Sequence, residues 1–138
     1  MSPKKYRKQI TDLGIEGMEI DVSSIDEAME TLNDLDTIEK ILKKIGDNVK
    51  TDMRKIRRDY INELHELGVS SRSQGIFHRK KSTRKLIKEK KAIENDRDSK
   101  MAAYEKVEDT VTDYIDQIED SKIYIADVIK KRLGDDQR

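Results

Sequence analysis

Cysteine and tryptophan are absent from this 138-residue sequence, proline occurs once, at Pro3, and phenylalanine once, at Phe77. Without cysteine there is no disulfide framework, no thiolate metal site and no thiol nucleophile. With no proline after Pro3, every later backbone N–H is available to a helical ladder. Apolar residues make up 34% of the chain, against roughly 45–50% in ordinary globular domains when glycine is counted. That is too little to fill a thick core. Unbroken apolar runs are no longer than Ile123-Tyr124-Ile125-Ala126, far short of the about 20 residues a membrane span needs. The first residues, Met1-Ser-Pro-Lys-Lys-Tyr-Arg-Lys, lack the apolar stretch of a secretory signal. A cytoplasmic protein with no membrane partner is expected.

What the chain has in abundance is charge. Lys, Arg, Asp and Glu make up 42% of it, 29 basic against 29 acidic. High charge with low hydrophobicity favours disorder, but here the net charge is zero and the apolar residues are periodic. A narrow stripe between helices needs few apolar residues, which is the arrangement of a coiled coil. One domain is expected at this length.

Ser2-Pro3 followed by Tyr6, Ile10 and Leu13 predicts a short first helix, capped by Ser and ended by Gly14. Met18, Ile20 and Val22 then alternate with Glu19 and Asp21, so 15–22 reads as extended. Too isolated for a sheet, it is expected to lie as a lid, within 1–22, along a long helix. Ser24-Ile25-Asp26-Glu27 is a capping box, and a first long helix is expected over 24–67. On a heptad reading Ile25, Leu32, Met53, Tyr60 and Leu67 share one seam position; Ala28, Leu35, Leu42, Val49 and Ile56 share the other. Glu39 and Gly46 also fall on the seam. Lys43–Asp47 is a stop signal followed by a start signal, so the helix either breaks at Gly46 or packing carries it through. Gly68–Gly75 reads as a turn, 76–133 as the second long helix and 134–138 as a tail. In that helix Leu86, Ile93, Val107, Tyr114 and Val128 share one seam position, and Tyr104, Val111, Ile118 and Ile125 the other.

The fold class expected is therefore all-α: a long antiparallel coiled-coil helical hairpin with a short N-terminal helix and an extended segment packed at the end away from the turn. A turn centred near residue 72 makes Met53 and Ala92 neighbours and sets the polar stretch 94–100 opposite 45–51. It sets Ile20 beside Ile125. Ile76 and Phe77 are expected to plug the turn against Leu64 and Leu67.

Charge is unevenly spread. Residues 67–93 carry nine basic side chains and one acid; residues 94–127 carry four and eleven, and residues 12–48 three and eleven. Arg79, Lys80, Lys81, Arg84, Lys85, Lys88 and Lys91 follow the turn, and Lys81 to Lys91 recur at helical spacing as a stripe about 15 Å long. Lys50, Arg54, Arg57 and Arg58 form a shorter stripe on the preceding helix. Such stripes suit a phosphate backbone or an acidic protein, and equally a merely solvated helix face.

No chemistry-bearing motif emerges. His65 and His78 flank the turn without metal-ligand spacing, Asp34-Leu-Asp36 and Asp96-Arg-Asp98 lack the rest of a calcium loop, and Gly68–Gly75 lacks the Lys-Ser/Thr of a phosphate loop. No catalytic, cofactor-binding or metal site and no small-molecule substrate is expected. The reading is a non-catalytic structural or interaction module that self-associates, a dimer being favoured, through Met18, Ile20, Val22, Ile123 and Tyr124. The alternative is nucleic-acid binding through the basic stripes.

Overall fold

Ser2 stops the chain in an extended conformation and turns its hydroxyl on the first helix, accepting from the Lys5 backbone N–H at 3.3 Å. Pro3 follows at the first helical position, where its missing N–H costs nothing. In the computed structural model, which describes residues 1–73 and 83–136, three helices form: α1 Pro3–Asp12, α2 Ile25–Ser73 and α3 Thr83–Asp136. No strand occurs among the described residues, and the two long helices pack together.

Gly14 ends α1 with φ of 68°, the left-handed conformation that closes helices and that glycine adopts without strain. Its N–H donates to the Thr11 carbonyl at 3.0 Å. Residues 15–22, expected to be extended throughout, are non-helical but open with a turn in which the Met18 N–H donates to the Ile15 carbonyl at 3.2 Å, and they form no strand. Asp21 organises the approach to α2. Its carboxylate accepts from the Ser23 hydroxyl at 2.6 Å and the Ser23 N–H at 2.9 Å, and its carbonyl accepts from the Thr31 hydroxyl at 3.1 Å. Ser24 then caps α2, accepting from the Glu27 N–H at 3.1 Å. Asp26 and Glu27 complement the positive helix end.

α2 runs 49 residues without a break at Gly46. A Cβ built at Gly46 would lie 3.4 Å from Val111 Cγ1, so α2 and α3 approach closely here and the packing carries the helix past its stop signal. α2 also continues through Gly68 to Ser73, which corrects the expected turn at 68–75. A helix already nucleated over forty residues propagates at small cost through one glycine and a few serines. α3 is described from Thr83 rather than Ile76; Ile76, Phe77 and His78 lie outside the described residues. At its far end α3 continues through Gly134 to Asp136 instead of stopping at Leu133.

The longer α2 shifts every pairing. Met53 is buried, whereas Ala92 is exposed, and the predicted level of 45–51 with 94–100 is not formed. Gly46 faces Val111 instead, and Asp96 accepts the Tyr60 hydroxyl. Gly68 is helical rather than the end of α2, and this moves the register.

The chain divides into two compact units. Unit 1 comprises Met1–Val49 and Val107–Arg138. Its buried apolar residues are Tyr6 and Ile10 of α1; Ala28, Leu35, Leu42, Ile45 and Val49 of α2; and Val107, Val111, Ile118 and Ile125 of α3. Eight of the eleven are heptad seam positions. Tyr6 and Ile10 are buried along with Ile45, which flanks the seam and is 5% exposed. Unit 2, Lys50–Lys106, buries only Met53, Tyr60 and Met101 among its described apolar residues. Ile56, Leu64, Leu67, Leu86 and Ile93 are half-buried there.

Candidate functional site

Unit 2 holds the predicted basic residues. Lys50, Arg54, Arg57 and Arg58 are exposed along α2, and Arg84, Lys85, Lys88 and Lys91 are exposed along the start of α3. Arg79, Lys80 and Lys81 lie outside the described residues. The helical rise brings Arg84, Lys85, Lys88 and Lys91 to one shallow surface that also includes Ile87. Ile87 is 54% exposed. It also lines an open apolar groove of about 470 Å³ with Leu64, His65, Leu67, Gly68, Leu86 and Lys90.

Below the groove, Tyr60 donates to Asp96, and Lys100 stands over the Tyr60 ring at 5.7 Å from its centre while pairing with Asp96 at 3.4 Å. The bond to Asp96 raises the Tyr60 phenol above its usual range and holds the Asp96 carboxyl below its own. The group ties α2 to α3 at this level, with the Lys100 and Asp96 side chains both more than half exposed.

Unit 1 contains the one buried carboxylate among the described residues. Glu39 occupies a seam position and is 6% exposed. Lys122 of α3 donates to Glu39 and to Asp36, each at 3.0 Å, and Lys43 pairs with Glu39 at 2.9 Å. Glu39 is held below the usual carboxylate range, first by Lys43 and then by Lys122; Asp36 is lowered first by Lys122. Glu39 falls two heptads before Met53 on the seam, so its position was visible in sequence, but its partner was not.

The predicted interface residues divide. Met18 and Val22 are half-buried, Ile20 is 38% exposed, and Ile123 and Tyr124 are 69% and 55% exposed. Ile10, Thr11, Gly14, Ile15, Glu16 and Gly17 surround a small cavity with Tyr114, whose hydroxyl donates to Glu16 at 2.8 Å. This segment therefore covers the Tyr114 side of α3, and Ile123 stays outside. Sequence reasoning also passed over Ile61, which is 65% exposed beside the α2 basic stripe.

Among the described residues, no three His, Asp or Glu side chains are placed to hold a metal ion, and no helix is long and apolar enough to cross a membrane. No family model, no curated protein and no solved structure matches this chain.

Proposed function

We propose that this chain is a non-catalytic interaction module: an antiparallel coiled-coil hairpin that associates with further copies of itself. Three facts support the hairpin. Lys122 meets Asp36 and Glu39, Val111 meets Gly46, and Asp96 meets Tyr60, so partners on α3 fall in number as those on α2 rise. Ten of the fourteen buried apolar residues are seam positions.

The observation that carries self-association is the apolar surface left uncovered on otherwise charged helices. Ile123, Ile61 and Tyr124 are each more than half exposed, although burial of such side chains is worth about 1.5–3 kcal/mol each. No described element of the chain covers them, which favours a second chain as their cover. Sedimentation equilibrium of the full chain across the micromolar range tests this. The reading requires a mass above 16.1 kDa that rises with concentration; a constant monomer mass to high micromolar concentration refutes it.

A second reading, binding of a nucleic-acid backbone, is favoured by the convergence of Arg84, Lys85, Lys88 and Lys91 on one surface. Its contacts would be to phosphates, with little sequence preference.

A further inference from the structure

The two most exposed large apolar side chains of the described residues are Ile123, at 69%, and Ile61, at 65%. They sit in matching surroundings of opposite sign. On α2, Arg54, Arg58, Ile61 and His65 follow one another at steps of four, three and four residues. On α3, Asp116, Asp120, Ile123 and Asp127 repeat those steps. Such spacing places each set on a single helix face. All eight are exposed. One stripe is an isoleucine among basic groups, the other an isoleucine among carboxylates.

The division extends to the units that carry them. Unit 1, with the Asp116–Asp127 stripe, has 12 basic and 20 acidic side chains; unit 2, with the Arg54–His65 stripe, has 17 and 9. The net charges are −8 and +8, so the neutrality of the whole chain conceals two oppositely charged halves. Opposed potentials steer association and select the partner, and the nearest source of a complementary surface is another copy of this chain.

We propose that the Ile61-centred basic stripe of one copy docks on the Ile123-centred acidic stripe of a second copy. Ile61 and Ile123 then cover each other, while Arg54 and Arg58 face the Asp116 and Asp120 carboxylates. Asp127 already pairs with Lys131 at 3.0 Å on its own helix, so Asp116 and Asp120 carry most of the charge recognition. Each stripe is exposed in its own chain, so its cover comes from outside it. A nucleic acid suits the occupant less well: it offers phosphates to Arg54 and Arg58 but nothing apolar to Ile61.

The proposal rests on the self-association argued above and specifies its faces. The test is a charge swap in the full chain. One variant carries Arg54→Glu and Arg58→Glu, so both its stripes are acidic; the other carries Asp116→Arg and Asp120→Arg, so both are basic. Each alone is expected to self-associate about tenfold or more weakly than wild type, from like charges brought together. An equimolar mixture is expected to regain association, because each variant now supplies what the other lacks. Circular dichroism confirms that both stay helical. As a second measurement, Ile61→Cys and Ile123→Cys chains, otherwise free of cysteine, are expected to cross-link to each other in preference to themselves. Wild-type-like association of both swap variants, or no recovery on mixing, overturns the proposal while leaving self-association through another face intact. A wild-type chain that is monomeric at every concentration overturns both. Efficient cross-linking of Ile61→Cys chains with themselves, and none with Ile123→Cys, also overturns the pairing.

Discussion

Unit 1 and unit 2 are built from the same two helices, yet they solve the problem of a thin core differently. Unit 1 adds α1 and the segment after it, and eleven of its apolar residues are buried. Unit 2 has two helices only, and among its described large apolar residues three are buried while six are half-buried. A helix pair encloses one stripe per helix; of the residues flanking the α2 stripe in unit 1, Ile45 is buried, Ile38 half-buried and Ile41 exposed. The contrast also follows charge, since the acidic unit is the better packed and the basic unit keeps an open apolar groove lined by Leu64, Leu67, Leu86 and Ile87.

The largest effect expected concerns that basic unit. If its exposed side chains grip a duplex through about five phosphates, the log–log salt slope is about −4.5, and a fourfold rise in salt weakens binding roughly 500-fold. Arg84, Lys88 and Lys91 replaced together by Gln should flatten the slope to about −2. Titration of labelled DNA and RNA at several salt concentrations reads this directly. No binding at low salt would leave the basic surface to protein contacts alone.

Truncation of the cores comes next. Leu42 is fully buried, so Leu42→Ala should cost about 2–5 kcal/mol. Ile56 occupies the same heptad stripe two turns of the repeat later but is half-buried in unit 2, so Ile56→Ala should cost about half as much. Urea unfolding compares the two. Equal losses would mean that the packing contrast has no energetic counterpart.

A smaller effect belongs to the ionic group of unit 1. Lys122→Ala leaves the buried Glu39 with only the exposed Lys43, and should cost about 1–2 kcal/mol, reduced from the value for a fully buried pair because the Lys122 side chain is 28% exposed. Asp36 and Glu39 have folded-state pKa values below their unfolded ones. Their contribution is therefore present above about pH 4 and is lost as pH falls through the lowered folded values. Wild type should lose stability below pH 4, and Lys122→Ala should lose less over the same range. Urea midpoints at pH 7 and pH 3 measure the difference; identical acid losses in the two proteins would remove Lys122 from the account.

The helix caps at Ser2 and Ser24, the end of α1 at Gly14, the seam residues of both long helices and the opposed charge blocks could all be read from the chain. These features depend on neighbours a few residues away, or on a period that a helix imposes on its own sequence. The fate of Gly46 and Gly68 could not be read that way. A glycine weakens a helix by only about 1 kcal/mol, and Val111 packed against Gly46 is a contact from another helix. The register depended on Gly68, so it went astray with it, and the predicted level of Met53 and Ala92 was lost. Lys122 was invisible as the partner of Glu39 for the same reason: which cation meets a seam carboxylate is set by register. Sequence determined the periodicity, the caps and the sign of charge along each helix. Only the tertiary structure decided where one helix faces the other, because that choice sums many weak contacts between residues far apart in the chain.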